Sequence, residues 1–375
     1  MGRRALFFLM IMVVLTLTGI AWAGTEGAKN TFYGQGAGAN TTGDNDYDTF
    51  IGADAGNANT TGSSNTFLGY RAGYSNTTGY YNTFLGYRAG YSNTTGFMNT
   101  FLGSSAGNAN TTGNFNTFLG YYAGNANTTG YDNTFVGKYA GNANTTGYDN
   151  TFVGNAAGNA NTTGNYNTFL GQIAGNHNTT GSANTFLGFG AGRNATGSAN
   201  VFLGYAAGYN ETGSNKLYID NTDTATPLIY GEFNINILAI NGKVGIGKKP
   251  SAHPLEMASG AHVTTGGVWT NASSREYKED VEALSRQEAF DTLEGLNPVK
   301  FAYKADRTER HVGFIAEDVP ELVSMKDQKG LSPMDIVAVL TKVVQEQQEA
   351  IQAQQKTIQE LTDKVIGLER ELKRR

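Results

Sequence analysis

The chain contains no cysteine. That excludes a disulfide framework, a thiolate metal site and a lipid-modified cysteine near the N-terminus. Its four histidines are scattered without ligand spacing, so neither a metal centre nor a cofactor is expected. Charge is scarce as well: Asp, Glu, Lys and Arg make up 16% of the residues, against about a quarter in ordinary domains. Glycine, by contrast, occupies 50 of 375 positions, so a conventional globular core over the whole length is not expected. Lys and Arg form no cluster in the central region and the net charge is −5, which argues against a nucleic-acid partner.

Long apolar runs are missing except at the start. Arg3 and Arg4 precede an apolar stretch, Ala5–Leu17, followed by Ala21-Trp22-Ala23. This pattern predicts a signal peptide over residues 1–23, cut after Ala23, and hence export to the periplasm, the cell surface or the medium. A retained anchor is the competing reading, because the run nearly suffices to span a bilayer. No transmembrane span is expected once the signal is removed.

What is abundant is repetition. Asn-Thr-Phe-Leu-Gly, with Val136 and Val153 replacing Leu, places Phe at 67, 84, 101, 118, 135, 152, 169 and 186, always 17 residues apart. Phe32, Phe50 and Phe202 extend the series with steps of 16 to 18. Ala-Gly and Asn-Thr-Thr-Gly fill the intervals. A short β-favouring phrase at fixed period predicts a β-solenoid, one coil per repeat, with Gly and Asn taking positive φ at the corners. Ten steps at the ~4.8 Å spacing of stacked strands give a rod of roughly 48 Å.

Within each strand Thr and Leu point one way and Phe the other. Both faces therefore carry an apolar row, and a lone solenoid has only one inside. Lateral association of several chains is expected, with loops folded over the second row as the competing solution. The Asn-x-Thr triplets match a glycosylation acceptor, but their regularity reads better as corner chemistry. Asp132 and Asp149 hold equivalent positions, so they stack instead of forming a catalytic pair.

Beyond Gly213 the composition shifts. Lys216–Ile219, Pro227–Tyr230, Ile237–Ile240 and Lys243–Ile246 read as short strands that seal the solenoid. Pro254–Thr270 reads as a connector.

The last hundred residues carry a resemblance. Asn271-Ala-Ser-Ser-Arg-Glu-Tyr-Lys278, Leu296-Asn-Pro-Val-Lys-Phe-Ala-Tyr-Lys304 and His311-Val-Gly-Phe-Ile-Ala-Glu-Asp-Val-Pro-Glu-Leu322 resemble the endosialidase-type intramolecular chaperone and auto-processing domain, serine-peptidase family 74. Such domains end many phage tail fibres and spikes, with similar versions in bacterial fibre-like proteins and in the myelin regulatory factor group. The resemblance implies a domain that trimerises, holds three chains in register and cleaves itself off through a Ser–Lys dyad. The matching positions are Ser273 and Lys278, with the cut at Ala272–Ser273. Ser274 stands where the family has Asp, and Arg275 lies one place early.

The chemistry agrees in outline. A serine hydroxyl needs a base, and neutral lysine serves. A lysine near its reference pKa of about 10.4 is charged, so such a base must be desolvated. Five residues along a regular helix separate two side chains by about 140°, so the pair requires a bend. Against this stands a capping reading, in which Ser273-x-x-Glu276 starts a helix running through Val281 and Leu284, leaving Lys278 exposed. His311, Glu317 and Asp318 are read as packing residues.

From Asp335 to Lys373 apolar residues alternate at 3 and 4: Val337, Val344, Ile351, Ile358, Val365 and Leu372 against Leu340, Leu361 and Leu368, with Gln347 and Gln354 between. This predicts a coiled coil. Its β-branched and Leu placement alone favours two strands, whereas the fibre resemblance points to three.

The expected division is thus a signal peptide (1–23), a β-solenoid (24–213), a β connector (214–270), an auto-processing chaperone (271–335) and a coiled coil (336–375). The fold class is a mainly β repeat shaft followed by a small α+β domain with a long helix, as a homotrimer. The expected activity is at most a single-turnover self-cleavage. A non-enzymatic surface adhesin with a β-roll head, in the style of trimeric autotransporter heads, is the alternative. The outside partner of either is a host-surface or glycan ligand.

Overall fold

The computed structural model describes residues 29–42 and 46–374. The signal-peptide expectation lies outside the described residues. Two compact units divide at Asn271/Ala272.

The first unit is built on three-residue strands: β1 (Thr31–Tyr33), β2 (Thr49–Ile51), β3 (Thr66–Leu68), β4 (Thr83–Leu85), β5 (Thr100–Leu102), β6 (Thr117–Leu119), β7 (Thr134–Val136), β8 (Thr151–Val153), β9 (Thr168–Leu170), β10 (Thr185–Leu187) and β11 (Val201–Leu203). Each pairs parallel and in register with the next, Thr on Thr and Phe on Phe through most of the series. One repeat is therefore one coil. From Phe50 to Phe202 the strand phenylalanines, one per coil, are fully buried, their rings stacked 4.7–4.8 Å apart. Burying each such ring contributes about 1.5–3 kcal/mol. Stacking in register then holds every coil to its neighbours. The glycine after each buried alanine makes room for this column. Gly124 has φ +55, and a Cβ there would lie 2.5 Å from the Phe118 ring.

The asparagines do not sit where the sequence reading put them. Among described residues the asparagines with positive φ are Asn215 and Asn236, at and beyond the last coil. The regular ones are buried and form two amide ladders along the shaft. In one, Asn93 Nδ2 donates to Asn76 Oδ1 (2.8 Å) and to the Gly96 carbonyl (3.0 Å). In the other, Asn99 Oδ1 accepts the backbone N–H of Asn116 (3.0 Å) and its Nδ2 (3.2 Å). Each coil is thereby hydrogen-bonded through its interior, where an unpaired amide would be costly. The left-handed positions fall instead to glycine and to outward residues such as Arg71 and Tyr122.

Asp48 stands in the second ladder in place of asparagine, one coil after Asn30, whose Oδ1 accepts the Asp48 N–H at 2.9 Å. Its carboxylate is buried, accepting the Asn65 N–H (2.8 Å) and Asn59 Nδ2 (3.0 Å), and burial pushes its pKa up to about 7. An unfolded aspartate titrates near 3.9. Between the two values the folded state holds the extra proton, so stability falls as pH rises through that window. The expected loss is on the order of 1 kcal/mol or more across that window. Thermal melts from pH 4.5 to 8 check it: Asp48→Asn should remove that slope and melt higher at pH 8, and an unchanged slope would refute the assignment.

The second row stays uncovered in the single chain. Leu68, Leu85, Leu102 and Leu119 are 38–40% exposed, whereas the Phe column is at 0%. Among the described residues no loop folds over them.

Strand β12 (Lys216–Ile219) continues the parallel stack, and β13 (Ile229–Glu232) and β14 (Ile237–Ile240) close it antiparallel. Residues 254–270 are more ordered than a connector. Strands β15 (Val244–Ile246), β16 (Leu255–Met257), β17 (His262–Val263) and β18 (Trp269–Thr270) make a separate sheet. Glu256 anchors it by accepting the N–H groups of Ser251, Ala252 and His253 and pairing with Lys248 at 2.9 Å. Those donors hold its carboxyl well below the usual range.

In the second unit a single 3₁₀ turn, Arg275–Tyr277, precedes helix α1 (Arg286–Glu294). Ser285 and Glu288 form a capping box at the start of α1. Strands β19 (Val299–Tyr303) and β20 (Asp306–Gly313) form a hairpin, and helix α2 runs from Pro333 to Arg374. Val319, Val323 and Val339 form the small core, flanked by Leu296, Phe314 and Ile336. The heptad seam of α2 is bare: Val344, Ile358, Leu361 and Leu368 are each more than half exposed.

Candidate self-processing site

The stretch Ala272–Lys278 folds differently from the capping reading. Ser274, not Ser273, caps the 3₁₀ turn, its Oγ accepting the Glu276 N–H at 3.3 Å. The turn ends at Lys278, which is extended, and no helix runs through Val281 and Leu284. The capping serine was indistinguishable from its neighbour in sequence, because either could face a glutamate N–H. With Ser274 committed to the turn, Ser273 is left free for another partner.

That partner is Lys278. Its Nζ donates to Ser273 Oγ at 3.0 Å. One tight turn supplies the bend that a regular helix would not. Both side chains are exposed and Ala272 is half-buried. In this state the amine donates to the hydroxyl. Accepting the hydroxyl's proton requires the neutral amine, which burial favours.

The other acidic and histidine residues of interest lie elsewhere. His311 packs on Tyr303 and Phe301, with ring centroids 5.2 and 5.7 Å away. Glu317 and Asp318 occupy a short 3₁₀ turn. Asp132 and Asp149 stand one coil apart and Asp132 is shifted upward by burial and by Asp149, as stacked carboxylates should be. A cavity of about 290 Å³ at the capped end is lined by Tyr209, Glu211, Tyr218 and Asp223. Glu211 spends its oxygens on the Gly213 N–H and the Tyr218 hydroxyl. Among the described residues no group of His, Asp or Glu is placed to hold a metal ion, and no helix is long and apolar enough to cross a membrane.

Together, the solenoid, the compact α+β unit and the long helix fit a tail-fibre-like protein with an intramolecular chaperone. Residues 273–327 match the family described as chaperone of endosialidase. The match begins at Ser273. Comparison with curated proteins and with solved structures gave no match.

Proposed function

We propose that this is an exported, homotrimeric fibre protein whose C-terminal domain directs assembly and then severs itself at Ala272–Ser273. The Ser273–Lys278 contact at the first residue of the family match carries the reading. Ser273 Oγ attacks the Ala272 carbonyl carbon while its proton passes to the neutral Lys278 amine. The C–N bond then breaks, the proton goes to the leaving Ser273 nitrogen, and an ester joins Ala272 to Oγ. Water hydrolyses the ester to an Ala272 carboxylate and restores the hydroxyl.

Two uncovered apolar surfaces support association of copies: the Leu row of the shaft and the seam of α2. A partner covering the Leu row must repeat at the same coil spacing, and another copy of this chain does. Exposure of Lys278 in the single chain supports a reaction that waits for assembly. The test is intact mass and sedimentation of the purified protein. Two fragments cut at Ala272–Ser273 and a trimeric shaft are expected. An intact chain that sediments as a monomer would overturn the reading.

The uncovered shaft face also favours the adhesin alternative, in which it meets a host surface and nothing is cut. Intact full-length trimers that bind host matrix would select it.

A further inference from the structure

Two consecutive coils are identical over Thr66–Gly79 and Thr83–Gly96, including outward positions that vary elsewhere. Each carries Tyr-Arg-Ala-Gly-Tyr. The rings form two columns, Tyr70 on Tyr87 at 5.5 Å and Tyr74 on Tyr91 at 5.2 Å. Between them runs a column of guanidinium groups. Arg71 lies 5.1 and 5.3 Å from the Tyr70 and Tyr74 ring centres, and Arg88 lies 5.4 and 5.2 Å from those of Tyr87 and Tyr91. The flanking rings fix each guanidinium in place by cation–π attraction.

The two arginines differ in one respect. Arg71 pairs with Asp54 at 3.2 Å. Arg88 has no ion pair among the described residues, and its Nε is buried without a hydrogen-bond partner. The next coil offers Ser105 where a carboxylate would be needed. Only Arg71, Arg88, Lys138 and Arg193 are basic between residues 30 and 213, so two adjacent cations are not background charge. They repel each other at one-coil spacing, and an anion at the unfilled end would relieve this.

We propose that this Tyr–Arg–Tyr box binds the carboxylates of an acidic polysaccharide lying along the shaft. Arg88 grips one carboxylate through its planar fork of N–H donors, which lysine cannot reproduce. The tyrosines flank the sugar rings. A peptide is disfavoured because each strand on this flank is already paired on both sides, leaving no main-chain ladder to extend. The inference names a ligand class for the proposed fibre and rests on that reading only in placing the shaft outside the cell.

The experiment measures binding of the purified protein, cut or uncut at Ala272–Ser273, to polygalacturonate, with dextran and poly-glutamate as comparison polymers. Arg88→Ser should keep the fold, since Ser105 occupies the equivalent place one coil on, and should weaken polygalacturonate binding about tenfold or more. Arg88→Lys should restore little of it, and Lys138→Ser should leave it unchanged. Binding to none of the polymers, or equal losses in Arg88→Ser and Lys138→Ser, would overturn the site. Poly-glutamate binding that depends on Arg88 as strongly would overturn the polysaccharide assignment. Binding is read independently of chain mass and trimer state, so its failure leaves the assembly proposal standing.

Discussion

Gly113→Ala is expected to cost the shaft on the order of 3 kcal/mol or more, although it adds a single methyl group. Gly113 does not need a positive φ, so the backbone itself would accept alanine. The obstacle is space. A Cβ at this position would lie 2.3 Å from the Gly130 carbonyl oxygen and 2.4 Å from Asn110 Oδ1. Neither can retreat. Gly130 belongs to the next coil, and Asn110 Oδ1 is held by Asn127 Nδ2 at 2.8 Å. Moving either breaks a rung of a buried ladder, and an unpaired buried amide costs about 1–3 kcal/mol further. Because coils contact mainly their neighbours, the damage should be local at first. Hydrogen exchange should accelerate in the coils around residues 96–130 before the ends of the shaft respond. Thr112→Ala, on the exposed neighbour, is the control and should shift stability by no more than about 0.5 kcal/mol. Equal melting of the two variants would mean that the ladders do not hold the coils together.

The parts of this molecule that repeat in sequence were the parts most readily read from it. A phrase returning every 17 residues fixes both the strand and its stacking partner, so Thr66–Leu68 pairs with Thr83–Leu85 as period alone requires. The alternation at 3 and 4 likewise places Val337 to Leu372 along one helix. What escaped were relations that exist only between coils or between distant segments. Asn76 reads locally as a turn residue; its amide becomes a ladder rung only when Asn59 and Asn93 lie below and above it. The two-residue strands at His262 and Trp269 carry too little pattern to detect, and the fold there depends on Glu256 gathering three N–H groups. At the candidate site the motif was legible but its geometry was not. Ser273 and Ser274 compete for one cap, and a turn of three residues decides between them.

That choice leads to the second large effect. Ser273→Ala should leave the chain whole, at the mass of residues 24–375 if the leader is removed after Ala23, while the parent yields a shaft fragment and a chaperone fragment. Lys278→Met should also block cleavage, slowing it by at least about 100-fold, the low end of what a positioned base contributes. Lys278→Arg should fail equally, because a guanidinium stays charged. Ser274→Ala should behave otherwise. It removes a cap worth about 1 kcal/mol, loosening the turn without removing either reacting group, so cleavage should be slowed and not lost. Ser273 and Lys278 are already in contact in the single chain, yet the amine is exposed and donating. If burial at an interface is what frees the amine, then Leu361→Glu, placed on the bare seam of α2, should suppress cleavage while Ser273 and Lys278 remain in contact. Full cleavage by a monomeric Leu361→Glu chain would separate the chemistry from assembly, and fragments from Ser273→Ala would remove Ser273 from the chemistry altogether.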